Sequence, residues 1–173
     1  DPGREFAAGT YSAKCNSDLI PAILCARQIS DQLSNKFLGN KASLPLFGVG
    51  ISLGGTILLN ACFEKDNSAF FSKPILDGLV CISSPLDLAV CSSSIERPRN
   101  IVYQKWLLNR LIKQTLSDPF GVEEREREAL INNKKSEIKI KDIRSFDNAI
   151  TSKRWGYKDV DEYYLKASPI FAL

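Results

Sequence analysis

The 173-residue sequence contains no histidine and no two cysteines in a C-x-x-C arrangement. Zinc sites in proteins are built mainly from these two residue types, so we expect no metal site, and we expect no bound cofactor. The five cysteines are an odd number and stand far apart, and three of them fall within apolar stretches (the five are Cys15, Cys25, Cys62, Cys81 and Cys91). This pattern favours buried free thiols in a reducing compartment over a disulfide framework.

Strong charge and long apolar segments are also missing. The net charge is only +3, and the basic residues form no contiguous block, so the sequence predicts no nucleic-acid partner. No segment reaches the ~20 apolar residues that a membrane-spanning helix needs, and the N-terminus has no signal-peptide pattern. Residues 1–9 match no pattern that we can place, and we interpret them as a non-native leader. The remaining composition is that of a globular protein.

The first half of the chain predicts an α/β fold. An amphipathic helix is expected from about Asp18 to Lys36, capped by Asn16 and Ser17, with Ala22, Ala26, Ile29 and Leu33 on one face. Residues 44–50 are short, apolar and bounded by Gly and Pro, which is typical of a strand buried on both faces of a parallel sheet. Residues 53–63 have a helical pattern, and residues 77–83 resemble a second buried strand. Strand, helix and strand in this order form a βαβ unit.

After Pro85 the pattern becomes helical. Helices are predicted near 98–117, 122–133, 139–146 and 159–166, and the first of them places Leu107, Leu108, Leu111, Ile112 and Leu116 inward. No segment in this stretch resembles a strand. We therefore divide the chain into a core part at 10–91, a helical insertion over the sheet at 92–155, and a return to the core at 156–173.

The segment Gly50-Ile-Ser52-Leu-Gly54 fits G-x-S-x-G, which is typical of a nucleophilic serine. The motif functions where a strand turns sharply into a helix, and the glycines two residues away from the serine prevent steric clashes. Here the strand is expected to end at Val49 and the helix to begin at Leu53. The Leu53 amide would then lie at a helix N-terminus and could donate to an oxyanion.

Two other interpretations of this segment stay open on the residues alone. It could be a glycine-rich strand-to-helix turn without chemistry, since short motifs recur by chance. It could also be a nucleotide loop, because Gly48-x-Gly50 and Gly54-Gly55 resemble one. The spacing, however, is G-x-G-x-x-x-G, and the next strand ends in Ser83-Ser84 without the acidic residue that binds a ribose.

Several further residues suggest chemistry but have simpler explanations. Asp87 is more typical of a turn that opens the insertion than of a catalytic acid. Trp106 and Trp155 could line an acyl pocket, although aromatic residues at helical spacing more often belong to a core. The acidic stretch Asp159–Glu162 is more typical of a helix cap than of a metal site.

Four stretches resemble the abhydrolase-domain family, which groups plant embryogenesis-associated hydrolases, yeast medium-chain ester synthase/esterases and animal membrane-bound phospholipase and acylglycerol-lipase relatives. The stretches are Thr10-Tyr11 with Asn16–Leu19, Gly48–Asn60, Ser94–Pro98, and Phe146–Thr151 with Trp155–Tyr164 and Ala167–Pro169. The resemblance implies a partial α/β-hydrolase fold with a helical lid, and Ser52 as nucleophile in an elbow formed with Gly50 and Gly54.

The resemblance also implies what the chain lacks. The family continues with two strands that carry the catalytic Asp and His, and it begins with earlier strands, a second oxyanion donor and, in many animal members, a membrane anchor. We therefore expect a fragment that is inactive by itself, because a serine hydroxyl needs a histidine to accept its proton. For the full-length parent the resemblance implies an intracellular, membrane-associated serine esterase or lipase acting on lipid esters. An acyltransferase and a non-catalytic interaction protein are the alternatives.

Overall fold

The computed structural model describes residues 10–39, 44–64, 74–131 and 139–173. They form two compact units. The sheet unit comprises residues 13–87 and 167–173, and the helical unit comprises residues 88–166 with the described residues before 13. Residues 1–9, interpreted above as a leader, lie outside the described residues. The assignment of 92–155 as a lid stays a prediction.

The sheet unit contains the predicted strand–helix–strand succession. Its two strands are parallel, with Phe47 opposite Gly78 and Ile51 opposite Ile82. The elements of this unit, in order, are a 3₁₀ turn at Cys15–Asp18, α1 at Leu19–Leu38, β1 at Phe47–Ile51, α2 at Leu53–Cys62, β2 at Gly78–Ile82 and a 3₁₀ turn at Pro169–Phe171. The short apolar segments bounded by Gly and Pro therefore form strands, as the sequence predicted.

Both helices of the sheet unit lie against one side of the sheet. Ile23 from α1 and Ala61 from α2 are buried together with Ile75 and Leu76, which precede β2. Asn60, near the end of α2, connects both ends of this unit to the helix. Its side-chain amide donates to the carbonyls of Ala13 at 2.7 Å and Ala167 at 2.9 Å. The start of the unit and its last residues are thus bonded to the same helix.

The expected burial of both sheet faces is wrong for the described residues. The side chains that face away from α1 and α2 are all large, apolar and exposed, with relative exposures between 47% and 67% (they are Phe47, Val49, Ile51, Val80 and Ile82). The strands were predicted correctly because an apolar run bounded by breakers favours a strand. Such a run does not reveal which of its two faces is covered.

The predicted inner face of α1 is also wrong. Ile29 and Leu33 are 52% and 43% exposed, whereas Ile23 and Ser34 are buried. Polar side chains on the inner side explain the error, since Arg27 forms an ion pair with Asp77 at 2.8 Å and Ser30 donates to the Leu44 carbonyl. A hydrophobicity pattern cannot identify positions that are covered through hydrogen bonds.

The cap of α1 differs from the expectation as well. The helix is preceded by Asp18, whose side chain makes no cap bond, while the amide of Asn16 donates to Glu64 at 2.6 Å. Asn16 therefore connects the start of the chain to the end of α2 instead of capping α1.

The helical unit contains no strand in its described residues. Its elements are α3 at Leu88–Ile95, a 3₁₀ turn at Pro98–Asn100, α4 at Ile101–Leu116, α5 at Glu124–Ile131, α6 at Ile143–Phe146, a π-helical segment at Asp147–Thr151, α7 at Ser152–Arg154 and α8 at Val160–Ala167. The last residue of α8 belongs to the sheet unit. The four predicted helices are present. The third begins four residues later than expected and continues without interruption through the π segment to Arg154.

The core of the helical unit lies between α4, α5 and the helix that begins at Ile143. Leu108, Leu130, Phe146 and Ile150 are buried in it. The predicted inward face of α4 is confirmed, since Leu107, Leu111, Ile112 and Leu116 pack on this core. The predicted cap of α8 is also confirmed, because the Glu162 amide donates to the Asp159 carboxylate at 2.9 Å.

Other expectations about single residues are corrected. The cysteines are free, as predicted, but only Cys15 is buried, while Cys25 and Cys62 are exposed. Trp106 is 54% exposed and belongs to no core, whereas Trp155 is half-buried and its indole donates to the Thr10 carbonyl at 3.0 Å. Within the described residues, no helix is both long and apolar enough to cross a bilayer.

Candidate active site

A single residue separates β1 from α2, and that residue is Ser52. It has φ 52° and ψ −132°, and it is exposed. A positive φ is rare for a residue other than glycine, and holding it costs ~1–3 kcal/mol, which the surrounding structure has to supply. The sharp turn that the sequence predicted at this position is therefore present, although β1 ends at Ile51 rather than at Val49.

Backbone hydrogen bonds hold the strained residue from both sides. The Ser52 amide donates to the carbonyl of Ile82 at 2.9 Å, which extends the pairing of the two strands by one residue. The carbonyl of Ser52 accepts from the Gly55 amide at 3.1 Å, in the first turn of α2. Ser52 is thus fixed by the neighbouring strand and by its own helix, and its hydroxyl lies at the carboxyl end of the sheet, where parallel sheets carry their ligand sites.

Two glycines allow β1 and α2 to approach this closely. A Cβ atom on Gly50 would lie 2.3 Å from the Cα of Gly55, and one on Gly55 would lie 2.0 Å from the Ser84 hydroxyl and 3.0 Å from the Gly50 carbonyl oxygen. The sequence predicted that a side chain at position 50 or 54 would clash. This geometry agrees for Gly50 but not for Gly54, because a Cβ at position 54 would meet nothing within 4 Å.

Gly55 is the residue that sequence reasoning missed. The sequence pattern assigns Gly55 only to a possible nucleotide loop, because the G-x-S-x-G motif ends one residue earlier. The available signal was the doubled glycine at the start of a helix, where glycine is unfavourable unless a close approach requires it.

Leu53, the predicted oxyanion donor, is the first residue of α2 and is half-buried. First-turn amides have no acceptor within their own helix. Among the described residues, no backbone hydrogen bond uses the Leu53 amide. The partial positive charge of the helix N-terminus adds to the suitability of this position for an anion.

Two further hydroxyl-bearing residues of the sheet unit lie at the end of β2 and in α2. Ser83 follows β2 directly, is exposed and has φ 49°, so both strands end in a strained serine. Thr56 in α2 is buried and donates to the Pro85 carbonyl at 2.9 Å, which fixes α2 against the chain that leaves β2. Asp87 lies in the bend before α3, where the sequence predicted a turn residue.

The helical unit contains a buried polar network in the stretch Phe146–Thr151. The carboxylate of Asp147 accepts hydrogen bonds from the Tyr164 hydroxyl and from the Thr151 hydroxyl, each at 2.8 Å. Burial of this carboxylate raises its pKa from 3.8 to about 6, against the opposing effect of the two hydrogen bonds. Burial likewise raises the pKa of Tyr164. The network connects the π segment to α8.

A second charged cluster lies around Arg154. Its guanidinium contacts Glu126 through two nitrogens, at 2.8 and 2.6 Å, and Asp118 through the third at 3.0 Å. The hydrogen bond to Glu126 is the main reason why the pKa of Arg154 is raised. The side chain of Asp118 is only 1% exposed, so the guanidinium neutralises a buried carboxylate. Since all partners are satisfied within the cluster, we assign it a structural role.

No group of three or more potential metal ligands occurs among the residues that the structure describes. The histidine that a Ser-His-Asp triad needs is not in the sequence at all. The candidate site therefore consists of one positioned hydroxyl, one helix N-terminal amide and the glycines that make the turn possible.

Comparisons with known proteins identify relatives. The chain is 29% identical over 129 residues to human "Phospholipase ABHD3", 32% identical over 124 residues to "Putative esterase YheT" of Escherichia coli, and 32% identical over 134 residues to an "Abhydrolase domain-containing protein" of Dictyostelium discoideum. These alignments cover 73%, 72% and 74% of the chain but only 29%, 34% and 31% of the relatives. The chain thus spans about a third of the length of the curated relatives it matches.

No family model matches the sequence, and no solved structure matches it. The relatives nevertheless come from an animal, a bacterium and an amoeba, and the aligned length is too great to consist of the G-x-S-x-G motif alone. The parallel strands and the sharp strand-to-helix turn agree with the family that these names indicate. The chain belongs to the α/β-hydrolase family.

Proposed function

We propose that this protein is a serine carboxylic ester hydrolase that acts on acyl esters of lipids, with Ser52 as its nucleophile. The observation that carries the proposal is the backbone of Ser52, which is held at φ 52° between a strand and a helix. Such strain persists only where surrounding structure enforces it, and it is concentrated at functional sites. A glycine-rich turn without chemistry would gain from a glycine at this position, but the chain has a serine.

The proposed reaction proceeds through an acyl-enzyme. The Ser52 oxygen attacks the ester carbonyl while a base takes its proton, and the negative charge that develops on the carbonyl oxygen is stabilised by the Leu53 amide. Collapse of this intermediate breaks the bond to the alcohol, which leaves with a proton from the protonated base. Water then attacks the acyl-Ser52 ester by the same route and releases the fatty acid.

The base has to come from outside the 173 residues, because they contain no histidine. We therefore propose that the chain by itself does not turn over substrate. Without a base and its orienting carboxylate, only the positioned hydroxyl and the oxyanion donor remain.

The substrate class is supported by the names of the relatives. The human relative is named a phospholipase and the bacterial one an esterase, and both activities cleave carboxylic esters. Membrane association and an intracellular location are proposals that follow from the same likeness. The fold itself supports none of these details, because one α/β architecture serves many chemistries.

A fluorophosphonate probe tests the nucleophile, because it reacts covalently with activated serines. In an extended version of the chain that includes the downstream histidine expected from the family, we expect labelling that is lost in Ser52→Ala. Ser83→Ala is the matched control, since Ser83 is also exposed and also has a positive φ at the end of a strand. Labelling that survives Ser52→Ala would remove Ser52 from its proposed role.

Product analysis separates hydrolysis from acyl transfer. If water is the acceptor, supplying ethanol to the extended protein with a lipid ester should yield mainly free fatty acid. Ethyl ester as the main product would identify an acyltransferase that uses the same serine. Neither product, with no probe labelling, would favour a non-catalytic interaction protein.

A further inference from the structure

The charge of the helical unit is unevenly placed along the chain. Between Glu96 and Asp118 there are five basic residues and no acidic one, and the five are Arg97, Arg99, Lys105, Arg110 and Lys113. Their combined charge of about +5 exceeds the net charge of +3 of the whole sequence, so the rest of the sequence is net acidic. Neither flanking acid pairs with them in the described residues, because Asp118 is buried against Arg154 and Glu96 forms no ion pair with any of the five.

Helical geometry places two of these cations, Arg110 and Lys113, on one face of α4. All five are exposed, and none forms an ion pair with any residue that the structure describes. Val102, Trp106 and Lys113 follow one another at four- and seven-residue spacings along α4, with Tyr103 and Arg110 beside them, so they share a face. The opposite face holds the buried Leu108. We call the exposed side of α4, with Arg97 and Arg99 before it, the basic-aromatic face.

Aromatic and aliphatic side chains lie among the cations. Tyr103 and Trp106 are 52% and 54% exposed and stack with their ring centroids 6.1 Å apart. The guanidinium of Arg110 lies over the Trp106 ring, 5.3 Å from its centroid. Val102 is 78% exposed at the start of the same face. A helix that needed only solubility would place charged or polar residues at these positions.

We propose that the basic-aromatic face of α4 docks onto an anionic lipid surface. Tryptophan and tyrosine favour the boundary between headgroups and acyl chains, where each ring has an apolar body and a polar tip. Lysine and arginine can extend their charged ends to the headgroups while their aliphatic stems cover apolar surface. The aliphatic Val102 can insert beside them. This combination of basic and apolar residues on one helix is typical of a helix that lies in the plane of a membrane surface.

Two features favour lipid over nucleic acid, which also attracts cations and stacks on aromatic rings. The exposed aliphatic side chain of Val102 gains nothing from a phosphate backbone but gains from transfer into an acyl layer. The stacking of Tyr103 on Trp106 and the cover of Arg110 also occupy ring faces that a base would need. The proposal is independent of Ser52, since it uses other residues and requires no catalysis.

Flotation of vesicles through a density gradient tests the proposal with the whole 173-residue chain, because bound protein rises with the vesicles and aggregates do not. We expect flotation with vesicles that contain phosphatidylserine, little flotation with phosphatidylcholine alone, and loss of binding as salt is added. Arg110→Gln with Lys113→Gln should weaken binding about 30-fold, at about fivefold per cation near the surface. Circular dichroism checks that the variant keeps its helices.

The matched control removes the same charge elsewhere in the helical unit. Lys139→Gln with Lys141→Gln changes two exposed lysines that lie just before α6, and this variant should bind as the unchanged chain does. Tryptophan fluorescence gives an independent readout. Brominated lipids should quench the emission of the unchanged chain, and Trp106→Phe should lose most of that quenching, because the other tryptophan, Trp155, is half-buried and donates its indole N–H to Thr10.

Several results would overturn the proposal. Equal binding to neutral and anionic vesicles would remove the role of the cations, as would equal weakening by the control variant. Absence of flotation would refute docking, and so would quenching that persists in Trp106→Phe. Binding of a single-stranded oligonucleotide in place of vesicles would assign the face to nucleic acid.

Discussion

The packing of β1 against α2 makes a prediction that distinguishes three neighbouring glycines. An alanine Cβ at position 50 would lie 2.3 Å from the Gly55 Cα and 2.7 Å from its nitrogen, where ordinary contacts begin at 3.4 Å. Both neighbours are backbone atoms, so no side-chain rotation can relieve the overlap. The start of α2 would have to move by about 1 Å, and such overpacking costs about 3 kcal/mol.

Gly54→Ala is the matched control in the same turn. Its Cβ would meet nothing within 4 Å, and position 54 is helical, so alanine should stabilise the chain by about 1 kcal/mol through its higher helix propensity. Gly55→Ala should fall between them, at about 2 kcal/mol of destabilisation, because the Ser84 hydroxyl can rotate away but the Gly50 carbonyl oxygen cannot.

Urea unfolding followed by circular dichroism measures the three free-energy changes, with thermal melting as a second readout. The expected order of stability is Gly54→Ala, then the unchanged chain, then Gly55→Ala, then Gly50→Ala. If Gly50→Ala were as stable as Gly54→Ala, the close approach of β1 and α2 would not exist. The strain at Ser52 would then lose its structural cause.

Three further predictions concern the rest of the chain. The pKa of Asp147, about 6 when folded and 3.8 unfolded, means that the folded state binds the proton more tightly. The contribution of this group to the free energy of unfolding should therefore be greatest below pH 3.8 and should be lost as the pH rises through 6. The loss is at most ~3 kcal/mol, with about half of it between pH 5 and pH 8. Urea midpoints at those two pH values should differ less in Asp147→Asn than in the unchanged chain, and an equal difference would contradict the assignment. Arg154→Met should destabilise the chain by ~3 kcal/mol or more, because it removes the cation that neutralises the buried Asp118 carboxylate. The exposed Arg125→Met is the control and should stay within ~0.5 kcal/mol. In the described residues the sheet has only two strands and an exposed apolar face, so we expect the chain to aggregate. Val49→Lys with Val80→Lys should reduce light scattering, and a monomeric unchanged chain would contradict this expectation.

The parts of the fold that were predictable depend on short-range pattern. The apolar segments around Val49 and Val80 predicted strands, the inward leucines of α4 predicted a helix face, and Asp159 predicted a cap. Each of these signals lies within a few residues of the feature it predicts. The turn at Ser52 belongs to the same class, because its glycines stand beside it.

The parts that were not predictable depend on partners distant in the sequence. The inner face of α1 is set by Arg27, whose partner Asp77 is 50 residues away, and the role of Gly55 depends on the approach of Ser84. The network around Asp147 requires Tyr164 from another helix. The exposure of Trp106 was missed for a related reason, since helical spacing alone does not indicate which side of a helix meets a core.

If Ser52 is the nucleophile that we propose, its positioning and its activation are separable, because a chain without histidine already holds its backbone in the required turn. The positive φ of Ser52 is maintained by the Ile82 carbonyl and the Gly55 amide, both within the sheet unit. None of these bonds involves a base, so the turn can form before a base is present. A base supplied from outside these residues would therefore act on a hydroxyl that is already in place, and its contribution would be proton transfer rather than assembly of the turn.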